Sequence, residues 1–274
     1  MNFTEVILMW AGITFYALSA VFFVIGLTMK KERLLSFACW AVAAGLIPHA
    51  VAIGIRWVEA GHGPYMGFYE VASGLVWVGV ATMLLVVWRF AQLRPVGAVV
   101  MPISFLLMAA ALMTSKEIQQ LPPTLRSYWL WIHIAFAKLT YGSLLIATGL
   151  AVLYLLKRRF GEKKGSVLYR LPDLKQLDDL SYRFILLGFL FLGMMVVAGS
   201  IWANEAWGRY WGWDPIETWS FVSWVVYGIY LHQRLSRGWR GTKAAWLAIA
   251  AMVVVVFALL GVPFVYQSIH SAYM

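Results

Sequence analysis

Apolar residues occur along this chain in long runs that short polar connections separate. A helix that crosses a bilayer needs about 20 predominantly apolar residues. Eight runs have about this length, and they are numbered here as spans one to eight: residues 4–29, 35–56, 70–88, 96–114, 128–156, 184–203, 215–233 and 244–262. The pattern predicts an all-α integral membrane protein with about eight transmembrane helices. No internal repeat is visible, so we expect one polytopic domain over residues 1–274.

The distribution of charge supports this class and predicts an orientation. The chain is 62% hydrophobic and 12% charged, whereas soluble domains carry about 25% charged residues. A net charge of +10 could suggest a nucleic-acid partner, but most of the 22 Lys and Arg residues lie in the connections after spans one, three, five and seven. Basic connections mark the cytoplasmic side of a membrane protein. We therefore expect a lipid bilayer rather than nucleic acid around this chain, with both termini on the outer side.

The connection after span five is the one sizeable polar segment. It runs from residue 157 to residue 183, and we expect a cytoplasmic loop that carries a short surface helix. The first run lacks a basic start and leads directly into Lys30 and Lys31, which favours a retained span over a cleaved signal peptide. Cys39 is the single cysteine, so no disulfide and no C-x-x-C thiol pair is available for redox work.

Residues 202–224, the tryptophan-rich stretch, form the most unusual part of the sequence, at the connection between spans six and seven. It contains Trp202, Trp207, Trp211, Trp213, Trp219 and Trp224, interleaved with Arg209, Tyr210, Asp214 and Glu217. An interfacial belt explains scattered tryptophans at helix ends, but it explains such crowding poorly. Large apolar surfaces on loops mark binding sites. We therefore expect a flat aromatic surface on the outer side that binds a planar cofactor.

The end of this stretch has the pattern of a helix start. Asp214 suits the N-cap, Pro215 the first helical position and Glu217 the third. Capping alone would explain both acids. Alternatively, the positive end of the helix dipole, together with Arg209, could receive a carboxylate of the ligand.

Four of the five histidines are candidates for metal binding, because imidazole is a common axial ligand of haem iron. His133, near the outer end of span five, and His270, just past the outer end of span eight, are expected level with the tryptophan-rich stretch. His49 and His232 would form a second pair within the membrane, although their depths at 1.5 Å per residue match less well. His62, in a G-H-G-P sequence, is expected to be a solvated loop residue.

Two further ionisable residues lie in or beside the spans. Lys138, inside span five, is expected either to be structural or to pair with a carboxylate of a ligand. Glu70 lies at the start of span three, where an acidic residue interacts favourably with the helix dipole.

Several of these motifs resemble those of a known family. The sequence W-A-N-E-A-W-G-R-Y-W-G-W-D-P-I-E-T-W resembles the WWD motif of the haem-handling proteins of cytochrome c assembly. Three histidine segments resemble the histidine motifs of that family: Y-W-L-W-I-H at 128–133, V-Y-G-I-Y-L-H at 226–232 and S-I-H-S-A-Y at 268–273. P-Y-M-G-F-Y-E at 64–70 resembles its P-x-x-N-x-Y-E pattern, with Gly67 in the place of Asn. Eight spans and the His49 and His232 pair indicate the CcsA (ResC) type of system II.

The resemblance implies a function, a cofactor and partners. The function is haem transport and covalent attachment of haem to apocytochrome c at the outer face, as the haem-binding subunit of a cytochrome c synthase (haem-lyase). Haem b (iron protoporphyrin IX) would be held by the tryptophan-rich stretch, with its iron on His133 and His270, and a membrane haem on His49 and His232. The partners would be a CcsB (ResB)-type membrane protein, apocytochrome c with its C-x-x-C-H motif, and a thioredoxin-like thiol reductant. The location would be a bacterial-type inner membrane or a thylakoid membrane.

Two other functions would use the same histidines. A di-haem b-type membrane electron carrier would explain two histidine pairs at different depths, but it would not explain the tryptophan-rich stretch. A CcmC-type haem delivery protein, or a haem exporter without a synthase role, would share the haem sites but not the attachment chemistry.

Overall fold

Eight long helices account for most of the chain. The computed structural model describes residues 2–161 and 167–266. Its long helices are α1 (Phe3–Thr28), α2 (Glu32–Ala60), α3 (Gly67–Arg89), α4 (Gly97–Leu112), α5 (Tyr128–Phe160), α6 (Leu174–Trp207), α7 (Pro215–Ser236) and α8 (Thr242–Val256). Each long helix coincides with one of the predicted spans.

Shorter helical segments connect or extend the long ones. A 3₁₀ helix at Ala91–Val96 leads into α4, and another at Pro123–Leu125 lies shortly before α5. A one-turn helix at Val167–Arg170 lies between α5 and α6. After α8 the chain continues through a π-helical turn at Phe257–Gly261 and a short helix at Val262–Val265.

Seven helices in the described part of the chain are long and apolar enough to cross a bilayer. This confirms a multi-pass, all-helical membrane protein. The long helix outside that group is α7, which has 22 residues and includes Glu217, His232 and Arg234. Its length suffices for a span, but its composition is more polar than that of its neighbours.

The non-helical part of the polar segment 157–183 is shorter than the composition of the segment suggests. Helix α5 continues to Phe160, and α6 already begins at Leu174, where Asp173 caps the helix by accepting a hydrogen bond from the Gln176 amide at 2.7 Å. The expectation of a loop over this whole range is therefore wrong, although the short helix within it is present. The polar first turns of α6 are helical because their acids have a partner on α7. Arg234 lies 2.9 Å from both Asp178 and Asp179.

Helix α5 lies at the centre of the bundle and packs against α3, α4, α6 and α8. Glycines allow the closest approaches. A Cβ atom on Gly188 of α6 would lie 2.4 Å from Cδ2 of Leu144 on α5. The buried face of α5 is aliphatic, with Leu144, Ile146 and Leu150 fully covered. In a bilayer this face stabilises the bundle through close van der Waals packing between helices, because lipid is as apolar as these side chains.

Contacts between the connections show which of them share an end of the bundle. The basic connections meet one another at one end, the basic end, through Arg94 Nη1 with Ser36 Oγ at 2.9 Å, Arg170 with Glu32 at 2.5 Å, and Arg234 with Asp178 at 2.9 Å. The tryptophan-rich stretch begins at the opposite end, the tryptophan end, where Ser127 Oγ donates to Glu205 at 2.5 Å. The two ends therefore differ strongly in charge, as the sequence predicts.

A buried ionic cluster joins α1, α2 and α3 near the tryptophan end. Arg56 Nε donates to Glu70 at 2.6 Å, and Arg56 Nη1 lies 3.4 Å from Glu5. Tyr69 Oη also donates to Glu5 at 3.1 Å. Glu70 lies in the first turn of α3, as expected, and accepts from the Met66 amide at 2.8 Å. It therefore caps the helix and holds the arginine at the same time.

Candidate functional site

A cavity lies near the tryptophan end of the bundle, and we call it the aromatic cavity. It is enclosed by α3, α5, α6, α7 and the end of α8, and its volume is about 270 Å³, just below the usual range for ligand pockets of about 300–1,000 Å³. Most of its lining is apolar. Its more polar lining residues are Tyr65, His133, Lys138, Thr140, Tyr141, Ser200, Tyr210, Glu217, Ser220 and Ser223. An apolar cavity with a few convergent polar groups is typical of a cofactor site.

His133 lines this cavity from α5, and a hydrogen bond sets its tautomer. Its Nδ1 lies 2.8 Å from the carbonyl oxygen of Met195 on α6. A carbonyl can only accept, so Nδ1 carries the proton and the neutral ring has its lone pair on Nε2. This arrangement is common among metal-binding histidines, because the second bond orients the ring and raises its basicity. The ring also lies 6.3 Å from that of Trp202, centroid to centroid.

Gly199 makes room for this imidazole. A Cβ atom at Gly199 would lie 2.6 Å from His133 Nδ1 and 3.0 Å from Cε1. Only a glycine therefore permits the ring to lie against α6. Neither Gly199 nor the Met195 carbonyl is identifiable from the sequence, because each acts through a contact between segments more than 60 residues apart.

The loop 208–214 connects α6 to α7 between two well-defined helix ends. Helix α6 ends at Gly208, which adopts a left-handed φ of 71° and returns its amide to the Asn204 carbonyl at 2.9 Å. Helix α7 begins with the capping box that the sequence predicts, with Asp214 at the N-cap, Pro215 at the first position and Glu217 at the third. The predicted helix start is confirmed.

Glu217 also holds the loop itself. Its Oε2 accepts from the Gly212 amide at 2.8 Å and from the Asp214 amide at 3.2 Å. The start of α7 is thus already supplied with carboxylates of the protein, which leaves little electrostatic advantage for a carboxylate of a ligand there. The Arg209 side chain lies over Gly212, where a Cβ atom would fall 0.8 Å from Nη1. Arg209 is not among the described residues that line the aromatic cavity.

Trp213 has an unusual backbone conformation. Its φ is +57°, in the left-handed region that bulky residues rarely adopt, and its side chain is 69% exposed. Conformations of this kind cost about 1–3 kcal/mol and cluster at functional sites. The strain holds an exposed indole directly before the Asp214 cap.

The tryptophan-rich stretch does not form one flat surface. The rings of Trp211 and Trp213 are inclined by 89°, and those of Trp202 and Trp207 by 60°. Edge-to-face packing of this kind is the favoured geometry of neighbouring aromatic rings. The expectation of a flat platform is therefore wrong. Trp202, Trp211 and Tyr210 instead form part of the wall of the aromatic cavity.

Two tryptophans of the stretch pack between helices. Trp219 meets Phe257 edge-on at 4.6 Å, which ties α7 to the π-helical turn after α8. Trp224 stacks on Phe189 of α6 at 5.0 Å and 11°. Neither lines the cavity among the described residues. Their contacts hold α7 against the two helices that complete the wall.

A loop between α2 and α3 covers another side of the cavity. Tyr65 lines the cavity and meets Trp131 edge-on at 5.1 Å. Burial, together with the nearby Glu70 carboxylate, raises the pKa of the Tyr65 hydroxyl, so it stays protonated. Gly67 has a φ of 70°, and Asn is among the residues that best tolerate this region. The exchange of Asn for Gly in this motif therefore preserves a left-handed turn.

His62 is buried, and the expectation of a solvated residue is wrong. Only 4% of it is exposed. Its ring nitrogens lie 2.8 Å from the Gly63 carbonyl and 3.1 Å from the Gln119 carbonyl. The ring is covered because the segment before α5 folds over it, a contact between residues 57 positions apart.

The remaining histidines have different surroundings. His49 is buried between α1 and α3, with Nδ1 3.1 Å from Tyr16 Oη and Nε2 2.9 Å from Ser73 Oγ. His232 is exposed near the basic end of α7, where Nδ1 lies 3.3 Å from Ser236 Oγ. No hydrogen bond or ring contact within the described ranges joins these two histidines. His270 lies outside the described residues.

A family model described as "Cytochrome C assembly protein" matches residues 65–270. This chain belongs to the cytochrome c assembly protein family. The match includes Tyr65, His133 and the tryptophan-rich stretch.

The relatives place the chain with the CcsA type of this family. It is 40% identical over 223 residues to the cytochrome c biogenesis protein CcsA of Chlamydomonas reinhardtii, a match that covers 79% of this chain and 63% of that protein. It is 34% identical over 284 residues to CcsA of Guillardia theta, covering 95% of this chain and 94% of the relative. The chain thus spans slightly less than two thirds of the algal protein and nearly all of the second relative.

A solved structure shares the fold. The chain is similar to the cytochrome c haem lyase CcmF with a TM-score of 0.72 and 18% sequence identity. The similarity covers 98% of this chain and 47% of the lyase chain. The helical arrangement described above is therefore also found in an experimentally determined membrane protein.

Proposed function

We propose that this protein is the haem-binding subunit of a cytochrome c synthase. It would hold haem b in the aromatic cavity and position it for covalent attachment to apocytochrome c. One observation supports this most directly. His133, with its Nδ1 proton held by the Met195 carbonyl, lines a cavity walled by tryptophans of the WWD-like stretch.

The chemistry of the lining residues fits haem. A largely apolar wall suits the porphyrin face, a neutral imidazole suits the iron, and Lys138 offers a cation for the carboxylates. Haem, when bound, supplies the two vinyl groups to which cysteine thiols add as thioethers.

The protein contributes position rather than acid–base chemistry. Thioether formation requires each vinyl group to lie against a thiol, and holding two reactants in a productive geometry can account for a large part of a rate enhancement. The bond from His133 to Met195 orients the imidazole, and Glu217 fixes the loop that carries Trp211. His270 is proposed as the second residue that would hold the iron, and its place in the family motif supports this role.

The tryptophan end is proposed to face the outer side of the membrane. The support is the concentration of Lys and Arg at the basic end, which the positive-inside bias places in the cytoplasm. The termini would then both lie outside. Because the relatives include cyanobacterial and algal proteins, the proposed location is a thylakoid or a bacterial inner membrane.

Partners follow from the same proposal. A CcsB-type membrane protein would complete the synthase, apocytochrome c would present its C-x-x-C-H motif, and a thioredoxin-like reductant would keep its thiols reduced. Exposed aromatic side chains next to the cavity offer a surface for a protein partner, since Tyr210 is 60% exposed and Trp213 is 69% exposed.

A replacement of the proposed ligand tests the outer haem position. His133→Gly should yield protein with little bound haem, and added imidazole should restore both haem and its absorption spectrum. Leu139→Gly, which also weakens α5 by one glycine, serves as the matched control and should keep its haem. Normal haem content in His133→Gly would overturn the assignment.

Covalent transfer separates the synthase from an electron carrier. Haem purified with the protein and its partner should become attached to a peptide with a C-x-x-C-H sequence, visible as haem that survives denaturation. A carrier would retain its haem without forming that bond. If transfer fails although haem binds through His133, the synthase proposal is lost and the carrier or delivery function remains.

A second haem position on His49 and His232 also belongs to the proposal, on the strength of the family motifs alone. Joint ligation requires His49 to leave Tyr16 and Ser73. His49→Gln and His232→Gln should then lose the same fraction of haem. A loss from only one variant would show that the two residues do not bind one iron.

A further inference from the structure

We propose that Lys138 binds a carboxylate of the haem in the aromatic cavity, so that the propionate edge lies deep in the bundle and the vinyl edge lies at the tryptophan end. This inference rests on the function proposed above. It adds an orientation of the cofactor, which decides whether thiols from the aqueous side can reach the reacting carbons.

The Lys138 side chain extends from α5 across the cavity to α3. A Cβ atom at Gly74 would lie 2.6 Å from its Nζ and 2.8 Å from its Cε. The glycine therefore leaves the space that the ammonium group occupies. Lys138 is half-buried and lines the cavity.

Among the described residues, no hydrogen bond or ion pair holds this ammonium group. Glu70 on α3 acts on Lys138 electrostatically, but its Oε1 accepts from Arg56 at 2.6 Å and its Oε2 accepts from the Met66 amide at 2.8 Å. An unpaired charge within a membrane protein is costly, and charged residues in spans generally pair with one another or with a substrate. The cavity therefore contains a cation whose charge a carboxylate of the ligand would neutralise.

Lys138 is also the only Lys or Arg among the described residues that line the cavity. The rival cation, Arg209, lies over Gly212 on the loop. The acid on the loop side, Glu217, is held by two loop amides, and its charge disfavours a second carboxylate near it. The electrostatics of the cavity thus favour a ligand carboxylate at the Lys138 side and not at the loop.

The spacing along α5 gives the direction. Lys138 follows His133 by five residues, which is about 7.5 Å further from the tryptophan end at 1.5 Å per residue. The two propionates of protoporphyrin IX lie on the edge opposite its two vinyl groups. An iron at His133 and a carboxylate at Lys138 therefore direct the vinyl groups towards the loop, where Tyr210 and Trp213 are exposed.

Comparison of haem with its dimethyl ester tests the contact. The ester keeps the ring and the iron but removes both charges. Full-length protein should bind haem more tightly than the ester, and Lys138→Met should weaken haem binding by about tenfold to a hundredfold while leaving ester binding unchanged. Lys138→Arg should retain the preference for haem. Met is apolar and of similar length, so the variant removes a buried charge without leaving a cavity.

The outcomes separate this inference from the proposed function. If Lys138→Met discriminates between haem and ester as well as the wild type does, or if Arg209→Met abolishes the discrimination instead, the Lys138 contact is overturned. If neither ligand binds in a His133-dependent way, the proposed function itself fails.

A cysteine at two depths on α7 tests the orientation. Ile216 and Ser223 both line the cavity, and Ser223 lies about 10 Å further from the tryptophan end at the helical rise. A thiol adds across a vinyl double bond, with sulfur on one carbon and its hydrogen on the other, so no oxidant is needed. Ile216→Cys should capture reduced haem covalently more than Ser223→Cys, and wild type with Cys39 alone gives the background. Equal or greater capture at Ser223→Cys would overturn the orientation.

Discussion

The Gly199 contact offers a test of the site that changes neither a ligand nor a tryptophan. A Cβ atom at this position would lie 2.6 Å from Nδ1 of His133, about 1 Å closer than an ordinary non-bonded contact of about 3.5 Å. In Gly199→Ala the imidazole must move. Because Nδ1 is also the atom that donates to the Met195 carbonyl, the movement breaks the bond that orients the ring.

The expected magnitude follows from two opposing effects. Alanine in place of glycine favours a helix by about 1 kcal/mol, whereas overpacking of a tight contact costs about 1–3 kcal/mol. The free energy of unfolding should therefore fall by between zero and about 2 kcal/mol. Loss of the partner that orients a metal-binding histidine typically lowers affinity for the metal by about 10–100-fold, and we expect a decrease of this size in haem affinity.

Titration of haem into purified Gly199→Ala, followed by absorption spectroscopy, measures this effect. Gly228→Ala on α7 is the matched control, since it gains the same helix propensity and its Cβ atom would lie 3.6 Å from Phe189, an ordinary contact. Haem binding by Gly199→Ala with the affinity and spectrum of the wild type would show that the contact between residue 199 and His133 does not orient the imidazole. An equal loss of affinity in both variants would also argue against this role of the contact, because the effect would then not depend on the imidazole.

Three further predictions concern the framework around the cavity. Arg56→Met leaves two buried carboxylates without their cation and should lower the free energy of unfolding by about 3–5 kcal/mol. The loss should be visible as a lower unfolding temperature in detergent. An unchanged temperature would contradict a stabilising role of the cluster. Trp213→Asn should keep or raise that unfolding temperature, because Asn tolerates a φ of +57°. The same variant should attach less haem to apocytochrome c. Marked destabilisation of the variant would argue against backbone strain at this position. Glu217→Ala should lower stability by about 1–2 kcal/mol and weaken haem binding through the loop, whereas Glu217→Gln, which keeps an acceptor oxygen, should retain most of both. Equal behaviour of the two Glu217 variants would show that acceptance from the loop amides is not what matters.

Local sequence patterns were sufficient to predict the helices and the family. Runs of about 20 apolar residues are sufficient to predict spans, since a bilayer leaves the backbone few alternatives to a helix. The Asp214–Pro215–Glu217 start was equally predictable, because a capping box uses residues within one turn. The motifs around His133 and the tryptophan-rich stretch are local patterns too, and they identified the cytochrome c assembly family that the comparisons confirm.

Features that depend on contacts between distant parts of the chain could not be predicted in this way. The polar start of α6 was predicted to be a loop, but it is helical and Asp178 pairs with Arg234 of α7. His62 was predicted to be solvated, but the segment that contains Gln119 covers it. The inclination of the Trp211 and Trp213 rings and the fit of the Lys138 ammonium group against Gly74 likewise depend on packed neighbours. Hydrophobicity and capping act over a few residues and are visible in a sequence, whereas burial of a polar group depends on which remote atoms satisfy it.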